Sequence, residues 1–142
     1  LLFRKDDARF ALIKNNFEKT TRQLIEDQNV RIINRNLGSG TRVLIDRILG
    51  DRRPSGFFQE AKSHNSVAAA IAQKRADWGI AIQSVAENSG LEFIPIQDEE
   101  YDFVIPQKRL NRPEVGQFLA LLRNPEIQTQ LNKLGLKVDP LE

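Results

Sequence analysis

The stretch Val30-Arg31-Ile32-Ile33-Asn34, followed by Gly38-Ser39-Gly40-Thr41, restricts this chain more than any other feature. The first part is rich in β-branched residues, which fit a pleated strand and fit a helix less well. The glycines punctuate, and Val43, Leu44, Ile45, Ile48 and Leu49 then recur at helical spacing until Gly50. A strand that runs through a tight turn into a helix is half of a crossover unit. Crossovers are what parallel strands need, so the local pattern already points to a helix-covered sheet.

The alternation continues on both sides. Leu1-Leu2-Phe3 reads as the end of a strand, and Phe10-Ala11-Leu12-Ile13 as a short apolar run of open type. Phe17 to Asp27 reads as a helix, Phe57-Phe58 as the opening of a second strand, and Ser63 or His64 as the start of an Ala-rich helix over Val67 to Ala72. Asp77 to Ile82 is expected as a third strand, Ser84 to Asn88 as a short helix, Leu91 to Ile96 as a fourth strand and Tyr101 to Ile105 as a fifth. Pro113 and Pro125 each open a helix, the second capped by Gly135. The expected fold class is therefore α/β, with a mostly parallel sheet flanked by helices. Residues 1–142 are expected to form one domain.

Composition removes several function classes. With no Cys, there is no disulfide, thiolate metal site or cysteine nucleophile. One His argues against a multi-histidine metal centre. The 21 basic and 19 acidic residues are too balanced for the footprint of a nucleic-acid binder. No apolar run reaches the roughly 20 residues that span a bilayer. No cofactor, membrane or nucleic-acid partner is expected. A cytoplasmic location is expected from the cysteine-free composition and the missing signal-peptide pattern. The start at Leu1, without Met, leads to the expectation of a piece of a longer protein with a fused upstream domain.

The strongest local signal is Arg35-Asn36-Leu37-Gly38-Ser39-Gly40-Thr41-Arg42. The first turn of a helix has unpaired amides and the positive end of the helix dipole. Gly38 and Gly40 let the backbone approach a ligand, Ser39 and Thr41 add hydroxyls, and Arg35 and Arg42 add forked cationic donors. Together they suit a small anion. Ordinary helix capping accounts for Ser39 equally well. The loop is neither a Walker A nor a dinucleotide fingerprint. A second candidate is Ser63-His64-Asn65-Ser66: Ser63 or Ser66 could offer a hydroxyl, and His64 a contact, to the same ligand, while the alternative makes Ser63 or Asn65 the N-cap and packs His64 at a lobe edge. That alternative is the reading for Asn65 and Ser66, and Ser63 and His64 stay open. Ser39, His64 and Asp77 supply the residue types of a hydrolytic triad without its spacing or nucleophile elbow. Asp98, Glu99, Glu100 and Asp102 around Tyr101 read as a solvated acidic loop.

These segments, with Arg75-Ala76-Asp77-Trp78-Gly79-Ile80, Gly90 to Ile96, Tyr101 to Pro106 and the closing Leu119 to Gly135, resemble one family. It is the periplasmic-binding-protein-like (type 2) domain found fused to molybdopterin biosynthesis proteins and to molybdate-responsive regulators. The resemblance implies one lobe plus the return segment of a two-lobed fold. It implies a non-enzymatic domain that senses or delivers a tetrahedral oxyanion such as molybdate or tungstate, linked to molybdenum cofactor biosynthesis. The Ser-Gly-Thr loop of related receptors falls here on Ser39, Gly40 and Thr41, and Arg35 resembles the arginine ahead of it. The competing expectation is a ligand-free interaction module that keeps the fold, with a homodimer formed through the last two helices.

Overall fold

The computed structural model describes residues 1–10 and 17–137. The elements follow as β1 (Leu2–Phe3), α1 (Phe17–Glu26), β2 (Ile32–Arg35), α2 (Gly40–Leu49), β3 (Glu60–Ala61), α3 (His64–Ala72), β4 (Trp78–Gly79), α4 (Gln83–Asn88), β5 (Glu92–Phe93), α5 (Pro113–Arg123) and α6 (Pro125–Lys133). Short 3-10 turns lie at Ala8–Phe10 and Gln107–Arg109. The chain divides into two compact units, Leu1–Ile96 and Gln97–Glu142.

The first unit is built on an open five-stranded sheet of order β3-β2-β4-β1-β5. β2 is parallel to β3 on one side and to β4 on the other. From β2 the chain crosses through α2 to the sheet edge at β3, then returns through α3 past β2 to β4. Right-handed crossovers in opposite directions put their helices on opposite faces. Side chains alternate across a strand, and the two cores follow that alternation. Ile32 and Trp78 pack with Phe3, Phe10, Leu24, Ile25, Ile45 and Leu49, so α1 and α2 cover one face. Ile33 and Leu2 pack with Val67, Ala68, Ile71 and Ala86, so α3 and α4 cover the other. Each fully buried aliphatic side chain contributes roughly 1.5–3 kcal/mol, which is why a strand of only four residues holds the centre.

The expectation of a mostly parallel sheet is corrected to a mixed one. β1 is antiparallel to both β4 and β5, so two of the four pairings are antiparallel. A two-residue apolar strand has no crossover pattern before it, so nothing local sets its direction. Phe57-Phe58 does not open a strand either. Phe57 N–H donates to Pro54 O (3.0 Å) and Gln59 N–H to Gly56 O (2.8 Å), which holds both aromatics in a turn, and the ladder begins at Glu60. Phe57 is buried while Phe58 is exposed; aromatic identity signalled burial, which a turn supplies as well as a strand does. The strand expected at Leu91 to Ile96 shrinks to Glu92–Phe93. Ala11, Leu12 and Ile13 lie outside the described residues.

In the second unit, Tyr101 to Ile105 forms no strand, and Tyr101, Phe103 and Val104 are exposed. Pro113 and Pro125 do open α5 and α6, which pack on each other. Asn124 caps α6, its Oδ1 accepting from Glu126 N–H (2.8 Å). Neither helix buries a side chain.

Charge ties the N-terminal ends of β2 and β4 together. Asp77 Oδ1 accepts from Arg4 (2.9 Å) and Arg9 (2.7 Å), and Oδ2 accepts from Arg31 N–H (2.8 Å). The same Nη2 groups of Arg4 and Arg9 also donate to Asp7 Oδ2 (3.0 and 2.6 Å), while Arg4 Nη1 donates to Ile71 O and Ala76 O. Burial pushes the Asp77 carboxyl up, but the Arg31 amide and the two guanidinium groups outweigh it, and the group lies below its reference value of 3.8. The Arg9 hydrogen bond holds Asp7 below the same value. A depressed folded pKa contributes stability that is complete above the unfolded value and is lost as pH falls through it. Urea midpoints should therefore stay level from pH 7 to about 5 and drop below about 4. Asp77→Asn should lower the pH 7 midpoint and flatten the acid limb; an acid limb as steep as that of the parent would show that Asp77 does not carry it.

Candidate functional site

β2 and β3 are parallel, with Arg35 opposite Ala61, so the chain leaves both strands at one end of the sheet. Both following helices start there and diverge to opposite faces. Open α/β sheets place their ligands at such a reversal, outside the carboxyl ends of the strands. Ser39 caps α2: its Oγ accepts from Arg42 N–H (3.2 Å) and donates to Asn36 O (3.1 Å). Ser63 caps α3, accepting from Ser66 N–H (3.1 Å), with Ser66 Oγ at 2.7 Å. Gly40 and Thr41 are the first two residues of α2, so their amides have no acceptor within the helix. Gly38 turns the loop with φ +85°, and Gly38 and Gly40 are exposed.

Arg35 lies between the two caps. It is 7% exposed. Its Nε donates to Ala61 O (3.3 Å), and its Nη1 lies 3.5 Å from Thr41 Oγ1 and 3.1 and 3.4 Å from the two ring nitrogens of His64. Among the described residues no carboxylate pairs with it. A buried cation costs several kcal/mol unless an anion compensates it.

Arg42 makes the contrast. It is equally buried, but its Nε donates to both Asp46 oxygens (2.9 and 3.0 Å) and its Nη1 to Glu60 (2.7 Å) and Arg35 O (2.9 Å). Its guanidinium also lies 5.0 Å from the centre of the Phe57 ring. Two carboxylates already neutralise it, so Arg42 braces the loop from inside. These partners take up donors that the sequence reading offered to a ligand: spacing alone could not tell an i,i+4 partner such as Asp46 from solvent. The other expected residues, Gly38, Ser39, Gly40, Thr41, Ser63 and His64, all stand at this end of the sheet with Arg35.

Two residues escaped the sequence reading. Asn34 is wholly buried; its Nδ2 donates to Phe57 O (3.1 Å) and its Oδ1 accepts from Arg35 N–H (2.9 Å), which fixes the backbone of the arginine. Asn36 donates from Nδ2 to Leu37 O (3.1 Å), while its Oδ1 is buried without a hydrogen-bond partner. A polar Asn closing a β-branched run was the available signal for the first.

The triad is not assembled. Asp77 is at the N-terminal end of β4 with Arg4, Arg9 and Arg31, whereas Ser39 and His64 are at the carboxyl ends of strands parallel to it. The acidic loop around Tyr101 is exposed. Among the described residues no group of His, Cys, Asp and Glu could hold a metal ion, and no helix is long and apolar enough to cross a membrane.

A family model described as "PBP superfamily domain" matches residues 11–123. "Uncharacterized protein YvgK" of Bacillus subtilis (strain 168) is 39% identical over 112 residues, 75% of this chain. The chain spans 36% of that protein's length. "Uncharacterized protein in ferredoxin 2Fe-2S gene 5'region" of Clostridium pasteurianum is 28% identical over 81 residues, covering 56% of this chain and 72% of that one. No solved structure matches.

Proposed function

Because the chain belongs to the PBP superfamily, whose members are periplasmic-binding-protein-like domains, we infer that the loop between β2 and α2 holds a small oxyanion without turning it over. The observation that carries this reading is Arg35, a buried guanidinium with no carboxylate among the described residues, set between two helix N-termini. An oxyanion there supplies the missing counter-charge. Arg35 reaches it with its guanidinium, the Gly40 and Thr41 amides donate along the helix dipole, the Thr41 hydroxyl and the α3 cap complete the cradle, and Ser39, whose proton goes to Asn36 O, fixes the loop. Donors without a carboxylate favour a fully deprotonated tetrahedral anion, in line with the molybdate or tungstate that the family resemblance implies. In the two-lobed form of the family, closure of a second lobe over this end of the sheet completes the enclosure.

Titration calorimetry with molybdate, tungstate, phosphate and sulfate tests the reading. At least one should bind; Thr41→Ala should weaken it by about tenfold, the worth of one hydrogen bond to a charged group, and Ser39→Ala should weaken it through loss of the cap that holds the loop. If none of the four binds and light scattering shows a ligand-independent dimer, the domain is an interaction module instead.

A further inference from the structure

The contact between Arg35 and His64 carries a consequence for how the anion is taken up. A guanidinium only donates, so an imidazole nitrogen at 3.1 Å from Arg35 Nη1 receives that hydrogen bond in its deprotonated form. His64 therefore occupies a donor that an anion would use. Protonation reverses this. The imidazolium can no longer accept from Arg35, the Nη1 donor is released, and a second positive charge stands at the mouth of the cradle. Without an anion, two cations in such proximity repel; with a dianion beside them, both pair with it. We propose that oxyanion binding at this site is coupled to proton uptake by His64, so that affinity rises as pH falls. This deepens the oxyanion reading and rests on it.

The groups around His64 are consistent with that direction. α3 itself carries no other ionisable side chain. It packs against β1, β2, β3, β4 and α4. Their ionisable side chains are Arg35, Glu60 and Glu87, and Lys62 lies in the turn before the helix. Glu60 is held by Arg42 (2.7 Å) and Glu87 by Gln83 (2.7 Å). Arg35 lies in direct hydrogen-bond contact with the imidazole. Linkage requires reciprocity: if a proton on His64 strengthens the anion, the anion strengthens the proton by the same factor.

The chain has one His, so its ring proton signals can be followed by NMR without assignment. Sulfate and dilute, micromolar tungstate serve as probes, because under those conditions both remain monomeric dianions from pH 8 to pH 6. The His64 midpoint should move to higher pH when the probe is added, and calorimetric affinity should rise by about fivefold or more across that range, at the lower end of typical coupling. His64→Gln, which keeps an acceptor but cannot gain charge, should bind with the same affinity at both pH values. The unmodified protein alone suffices for the NMR arm should the variant not fold. Binding of equal strength at pH 8 and pH 6, with an unmoved His64 midpoint, overturns the coupling and leaves the oxyanion reading standing. Absence of binding by either probe at every pH overturns both.

Discussion

Arg35→Met is expected to remove oxyanion binding, by at least a hundredfold, while leaving the empty protein as stable as before or more so. The two halves of that result come from one cause. The arginine is nearly fully buried and no described carboxylate offsets its charge, so its desolvation is unpaid until a ligand arrives. Replacing a buried ionic group by an apolar one of similar length is often neutral or stabilising, here by about 1 kcal/mol. The polar neighbours tolerate the loss: Ala61 O still accepts from Asn36 N–H (3.2 Å), so no buried carbonyl is orphaned. The loss of binding is large because a charged forked donor disappears from a site shielded from water. Arg35→Lys should retain part of the affinity, since it restores the charge without the fork. Thermal midpoints with and without the best-binding anion, alongside calorimetry, check both halves. A Met variant that binds as tightly as the parent would remove Arg35 from the site, and one that is strongly destabilised would make it a structural residue.

Gly56→Ala should be the most damaging single-methyl change in the first unit, at about 3 kcal/mol or more. Gly56 sits at φ +84°, and a Cβ placed on it would come within 2.2 Å of Ile32 O and 3.2 Å of Ile32 N. Both are backbone atoms at the start of β2, and Ile32 N–H is bonded to Ser55 O (2.9 Å). Neither can step aside as a side chain could. Relief requires the 54–58 turn to lift off the strand that carries Asn34 and Arg35, so binding should fall together with stability. Gly90→Ala is the matched control. It shares a positive φ of +66° but meets nothing within 4 Å, so it should lose only the conformational part, about 1 kcal/mol. Urea denaturation of the two variants compares them directly; equal losses would show that the close approach to Ile32 has no energetic weight.

What was legible in the sequence was local. Ser39 and Ser63 cap helices because a hydroxyl three residues ahead of an amide can reach it, and that geometry needs no knowledge of the rest of the chain. The β-branched run centred on Ile32 and Ile33 becomes the central strand, and the apolar period from Val43 to Leu49 becomes the helix beside it. The starts of α5 and α6 at Pro113 and Pro125 were equally readable, because proline presets the first helical φ and lacks an amide that would go unused there.

What stayed hidden depended on long-range pairing. The direction of β1, the turn at Phe57-Phe58 and the unpaired stretch at Tyr101 to Ile105 all concern which backbone lies alongside which, and identical side chains serve either outcome. The same holds at the site. Arg35 and Arg42 look alike in sequence, six and seven positions from Thr41 and Arg35 respectively. Only the register of β2 on β3 puts Glu60 within reach of Arg42 and sets His64, 29 residues away, against Arg35. The residues alone thus determined that a strand would deliver glycine and hydroxyl groups to a helix start. The tertiary structure decided which arginine would be neutralised and which left open, because the balance of a buried charge is settled by neighbours that the chain brings together only when it folds.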